Sequence, residues 1–333
     1  MNSLRTQARA RFLSEQKFKD GAKLHDARLS LLTVAQYPKV ETIVKLTDIP
    51  WSQTSEIWDQ INTPIPKNGD ETATASMRLI RLEREFDGVL SIDQRTFLEI
   101  FDNFGYDQYW LGMILSSTYG FFPRLKEGGT QYTCYLHTVS YTMLWTHDPH
   151  ERTTKAVLIP REHSQYPQQI FKGVIDTIVH HKDLVSDARF CSFVCAIQMV
   201  RWIEGTVFEN LGRIRSIEVT TGHGAWHEVL HDSPPSTDEL MKHSKRLGFV
   251  LTALANVSRH ACIVRGILND LASAQSLSSH HAALAQSSNT ASVPNPFDDI
   301  LVSASILEGQ TQSGELQAGY LQERGRTQQA VVG

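Results

Sequence analysis

The residues whose types and spacing best suit chemistry are His227 and His231, in the run His227-Glu228-Val229-Leu230-His231. On a helix, two imidazoles one turn apart can ligate Zn²⁺. The glutamate between them can activate a metal-bound water, as in a zinc hydrolase. Three features oppose that reading. The chain holds 14 histidines, so a chance match is easily made. Pro234-Pro235 ends any helix within a turn of His231. No third ligand stands at the spacing that metzincin enzymes use. His223, His227 and His231 also recur every four residues, which suits a non-catalytic metal row, a pH-sensing row or a solvated polar face. The alternative is a connection between helices, with Gly222 and Gly224 supplying unusual backbone angles and Trp226 anchoring the loop. Asp298-Asp299 offers oxygen ligands of the kind Mg²⁺ prefers, and two acids near a helix start also simply favour its dipole. Glu83 and Glu85, alternating with Arg81 and Arg84, read as a solvated charged segment. There is no G-x-S-x-G, P-loop or G-x-G-x-x-G, so serine hydrolase, NTPase and dinucleotide-enzyme readings lack support.

The clearest element is a helix over residues 236–271 with a sustained seven-residue apolar repeat. One row is Leu240, Leu247, Leu254, Ala261 and Leu268; the other is His243, Val250, Val257, Val264 and Leu271. Nine of those ten are apolar, the pattern of a seam that faces other helices. Ser236 and Glu239 have capping-box spacing. Upstream, residues 1–35 read as a helix with a basic start at Arg5, Arg9 and Arg11, faintly like a mitochondrial presequence. Asp93 caps a helix whose apolar side is Phe97, Ile100, Phe101 and Phe104, closed by Gly105. Alternation over Tyr132 to Trp145, a turn at Asp148-Pro149-His150-Glu151 and a second strand from Thr153 to Ile159 predict a β-hairpin. Helices follow over about 166–182 and from about Asp187 to Val219.

These elements give an α+β fold, mostly helical, with four regions. Residues 1–165 form an α/β region with the β-hairpin, and 166–272 a long-helix bundle or stalk. Residues 273–296 are a low-complexity linker expected to be disordered, and 297–333 a stalk-like helix whose Ile300, Ile306, Leu316 and Leu321 need a partner surface. With 333 residues, 41% hydrophobic and 20% charged, the chain has the balance of a soluble globular protein. A net charge of −4 with scattered Lys and Arg excludes nucleic acid as the default partner. No run of 18 apolar residues predicts a membrane span. Cys134, Cys191, Cys195 and Cys262 form no CxxC pair and suit a reducing compartment.

Several runs resemble the fungal branch of CorA-like magnesium transporters. They are Ile214-Arg215-Ser216-Ile217-Glu218-Val219-Thr220-Thr221-Gly222-His223-Gly224-Ala225-Trp226 and Leu254-Ala255-Asn256-Val257-Ser258-Arg259-His260. The block Phe101-Asp102-Asn103-Phe104-Gly105 with Tyr119-Gly120-Phe121-Phe122 is similar to that family's N-terminal region. The tail from Tyr320 to Arg324, with Gln328 to Val332, is similar to the stalk before its first membrane helix. The resemblance covers most of residues 90–333. It implies a cytosolic funnel domain, an α/β part followed by long helices, with Gly222, His223, Gly224, Trp226, Asn256, Arg259 and His260 as its motif positions. The family's Gly-Met-Asn pore signature is absent; Gly112-Met113-Ile114 matches in part, in another region. Both membrane helices are missing too, so the expectation is a chain that does not itself conduct an ion.

The function expected is therefore non-catalytic, acting through helix-mediated association. The partner is a second copy, held weakly, or a full-length membrane relative. The location is cytoplasmic, at a membrane only through partners. No cofactor is expected, with Mg²⁺ the one metal the resemblance leaves room for. The rivals are the zinc hydrolase on His227, Glu228 and His231, and a small-molecule enzyme in the aromatic region from Phe104 to Phe122.

Overall fold

Alternating and β-branched segments pair into one sheet, because each exposes backbone groups that only a neighbouring strand can satisfy. The structure, a computed structural model, describes residues 2–20, 24, 28–51, 61, 68, 71–85, 88–125, 131–161, 167–223, 235–285 and 296–332. Its strands are β1 (Arg28–Gln36), β2 (Ile43–Pro50), β3 (Ala75–Arg81), β4 (Gly120–Leu125), β5 (Tyr132–His137), β6 (Tyr141–Asp148) and β7 (Thr153–Pro160). They lie in the order β2-β1-β3-β7-β6-β5-β4. All pairs are antiparallel except β3 with β7. The fold is thus α+β and mostly helical.

The chain divides into two compact units, Met1–Val194 and Cys195–Gly333. In the first, strands β5 to β7 are buried nearly throughout because both sheet faces are covered. One face packs Leu31, Ile80, Tyr135, Leu144 and Val157 against aromatic and aliphatic side chains of α1 (Asn2–Glu15), α2 (Gln94–Asn103) and α3 (Tyr109–Leu115). Asp93 caps α2 by accepting from the Thr96 amide at 2.9 Å, and Gly105, at φ +71°, lets the chain turn back beyond it. On the other face Arg81 lies over the Phe171 ring of α4 (Pro167–His180). The Tyr132 hydroxyl there meets Ser192, in the first turn of α5 (Phe190–Thr221).

The second unit is built from the rest of α5 with α6 (Thr237–Ala285) and α7 (Pro296–Val332). The capping box at the start of α6 forms: Glu239 Oε2 accepts from the Ser236 amide at 2.8 Å, and Ser236 Oγ accepts from the Glu239 amide at 3.3 Å. Leu247, Leu254, Ala261, Val250, Val257, Val264 and Leu271 are buried, as is Leu268. Leu240 and His243, at the helix start, are partly exposed.

Four expectations change. Residues 1–35 are not one helix; α1 ends at Glu15 and β1 begins at Arg28, a strand buried on both faces, with Leu29, Leu31 and Ala35 on one and Leu32 and Val34 on the other. The strand read over Tyr132 to Trp145 is two strands. Thr138 closes a tight turn between them, its hydroxyl accepting from the amides of Ser140 and Tyr141 at 3.1 Å each. The α6 backbone stays helical to Ala285, since its Ser- and Ala-rich end holds no breaker; any linker lies within 286–295, outside the described residues. The boundary set at 165/166 falls inside the first unit, because α4 and the first turn of α5 belong with the sheet. By length and mean hydropathy, 1.2 and 1.5, Phe190–Thr221 and Thr237–Ser273 would also pass as membrane spans, although no uninterrupted apolar run exists. Of those windows 67% and 44% is buried in the protein's own packing.

Candidate functional site

Of the positions singled out by resemblance, one, His260, lies on the inner face of the second unit. His260 on α6 is 1% exposed and stacks on Trp202 of α5, ring centroids 4.2 Å apart. Its Nδ1 lies 2.8 Å from the carbonyl of Asn256, so Nδ1 carries the proton and donates. Burial, and then the charge of Arg259, hold the imidazole neutral and lower its pKa to about 4 against the opposing pull of that hydrogen bond. Arg259 itself is exposed. At the far end of the bundle the tail and the run around Glu218 pair directly. Arg324 donates through Nε to Glu218 Oε1 at 3.0 Å and through Nη2 to Oε2, with both side chains largely buried. Gln328 donates to the His223 carbonyl at 2.5 Å and accepts from the Thr221 hydroxyl at 3.0 Å. Gly222, at φ +69°, ends α5 there. These contacts fix three helices to one another.

The outer face of α7 is different. Its inner row, Ile300, Leu307, Thr311, Ala318, Leu321 and Val332, is buried. A second row, offset by two residues, stands in solvent: Val302 at 63%, Ile306 at 58%, Leu316 at 76% and Tyr320 at 59% exposed. Gly309 and Ser313 complete its heptad spacing, and both are exposed. Of the four apolar residues that the sequence marks as needing a partner, Ile300 and Leu321 have one inside the unit, and Ile306 and Leu316 do not. Val302 and Trp202 were not singled out from sequence; Tyr320, Glu218 and Arg324 stood in the resembling runs, with no pairing expected. Continuing the heptad count through 302–320 would have found the outer row, whereas nothing in the spacing pairs Trp202 with His260.

His227, His231, Gly224 and Trp226 lie outside the described residues, as does the Asp298 side chain. Asp299 is exposed in the first turn of α7. Among the described residues, no group of three or more His, Cys, Asp or Glu converges. In the sheet unit Phe104, Tyr106 and Trp110 of the aromatic region are core, the Tyr106 hydroxyl donating to the Leu144 carbonyl at 3.0 Å. His137 is fully buried between Tyr119 and Tyr135, its Nδ1 2.5 Å from the Thr142 hydroxyl. Burial first, then the charges of Arg161 and Arg84, lower its pKa to about 3.

No known family matches the chain, and no curated protein matches it. Its structure is similar to the solved structure of the full-length CmaX protein, with 11% identity and a TM-score of 0.50, over 92% of this chain and 76% of that one. At that identity the likeness shows the fold. It carries nothing about activity.

Proposed function

We propose that this chain is a CorA-like domain that works by association rather than catalysis, a second copy docking against the outer face of α7. The observation that carries the reading is the exposed row Val302, Ile306, Leu316 and Tyr320. Apolar residues at heptad spacing over about 27 Å of helix fit another helix better than any other partner. Gly309 and Ser313, within the row, allow close approach. The flanking positions Ser303, Ser305, Gln310, Gln312, Gln317 and Gly319 are uncharged, so two identical helices meet without like-charge repulsion. That favours a second copy over a partner recognised by charge. The same reading places the domain in the cytoplasm, with a full-length membrane relative as an alternative occupant of the face. Bridging Asp298 and Asp299 by Mg²⁺ would strengthen assembly.

Sedimentation velocity over a range of concentrations tests this. The expected result is weak, reversible association that Ile306→Glu with Leu316→Glu weakens at least about tenfold, since each buries a charge at the seam. A strict monomer at every concentration, with and without millimolar Mg²⁺, overturns it.

A further inference from the structure

Ion pairs joining α1, the α2–α3 segment and β4 border an open cavity of about 510 Å³, lined by Arg5, Asp102, Tyr106, Asp107, Gln108 and Arg124 among others. Asp107 is on its lining, its side chain 8% exposed. Arg5 donates to both Asp107 oxygens, Nε to Oδ1 and Nη2 to Oδ2, at 3.0 Å each. Arg124 donates Nη1 to Oδ2, and the Tyr109 amide donates to Oδ1 at 3.0 Å. Burial alone would raise the Asp107 carboxyl. The Arg5 hydrogen bond, the Tyr109 amide and the charge of Arg124 outweigh it, so the group is held below the usual carboxylate range. Beside the lining, Arg9 donates to Asp102 at 3.0 Å and to Gln108 at 2.7 Å.

Holding α1 against the α2–α3 segment requires these contacts but not the space beside them. The cleft is open to solvent, with Arg5, Asp102 and Arg124 part-exposed, and its volume lies in the range of small-ligand sites, about 300–1,000 Å³. Asp102 on the lining is paired by Arg9 from beside it, so Arg5, Arg9 and Arg124 together exceed the two carboxylates by one positive charge. Among the described residues Arg124 uses only Nη1 of its fork, and Asp107 fixes the orientation of that fork and of Arg5. Guanidinium forks held by a carboxylate behind them are pre-set for a planar or tetrahedral oxyanion. A divalent cation is disfavoured by the same arginines.

We propose that this cavity binds a small oxyanionic ligand, a phosphate ester or a polycarboxylate, on Arg5 and Arg124. Calorimetric titration of the full chain with pyrophosphate and with citrate, against chloride at matched ionic strength, tests it. The expected result is saturable binding of at least one probe that Arg124→Gln weakens about tenfold or more, as for a lost charged hydrogen bond. Arg95→Gln, an exposed α2 arginine paired with Glu99, should leave binding unchanged. Binding of pyrophosphate alone marks the ligand as a phosphate ester, and of citrate alone as a polycarboxylate. A second readout needs no variant: phenylglyoxal modification of Arg5 and Arg124, mapped by mass, should be slowed by the bound probe. The proposal is overturned if neither probe binds beyond chloride, or if binding survives Arg124→Gln while modification of both arginines is unprotected.

Discussion

Gly314 and Gly309 lie less than two turns apart on α7 and should respond in opposite ways to the same substitution. A Cβ at Gly314 would stand 2.5 Å from Ile203 Cγ2 of α5, inside any tolerable contact, whereas a Cβ at Gly309 meets nothing within 4 Å. Gly314→Ala is therefore expected to cost about 1–3 kcal/mol by overpacking. Gly309→Ala should stabilise the isolated chain by up to about 1 kcal/mol through helix propensity. Denaturant titration of both variants checks the pair, and equal effects would contradict the packing described. His260 gives a pH dependence. Its folded pKa of about 4 lies below the unfolded value of about 6.5. A lowered histidine contributes stability that is fully present above the unfolded pKa and is lost as pH falls from about 6.5 towards about 4, on the order of 3 kcal/mol. Unfolding followed by tryptophan fluorescence, since Trp202 stacks on the ring, should show that decline. His260→Gln should make it shallower, with buried His137 still contributing in the same direction; an unchanged slope would place the acid sensitivity elsewhere.

At the scale of elements, α6 and α7 differ in what their apolar rows touch. Leu254→Ala should cost about 2–5 kcal/mol, because the side chain is fully buried. Leu316→Ala should cost the dilute chain within about 0.5 kcal/mol, because that side chain is 76% exposed. Equal losses in equilibrium unfolding at low concentration would mean that Leu316 already has a partner within the chain. Both helices and the Ser236–Glu239 cap were legible in the sequence, since a period sustained over many turns leaves few alternatives. The turn at Thr138 was not. It interrupts the Tyr132–Trp145 alternation without a glycine or proline, and its stabilising hydrogen bonds come from a hydroxyl that reads equally well as strand. The start of β1 was hidden because Leu29, Leu31 and Leu32 fit either period until β2 and β3 pair alongside.

For the molecule as a whole, the sequence carried the fold class further than the sites. The sheet order β2-β1-β3-β7-β6-β5-β4 rests on pairings between segments far apart in the chain, such as Ile80 with Val157, which local patterns do not encode. The Arg5–Asp107–Arg124 cluster joins α1, the α2–α3 connection and β4, which are far apart in the chain in the same way. The outer row of α7, by contrast, was half visible in Ile306 and Leu316, and it bears the functional reading. Chain-to-chain cross-linking at that row tests the reading most directly. With the exposed Cys262 changed to Ser, Leu316→Cys should be joined to its counterpart in a second copy by a short bis-maleimide, in a yield that rises with protein concentration. Glu308→Cys, exposed on α7 but off the row, should stay monomeric under the same conditions. Equal cross-linking at both positions, or none at Leu316→Cys at any concentration, would contradict the claim that a second copy covers this face.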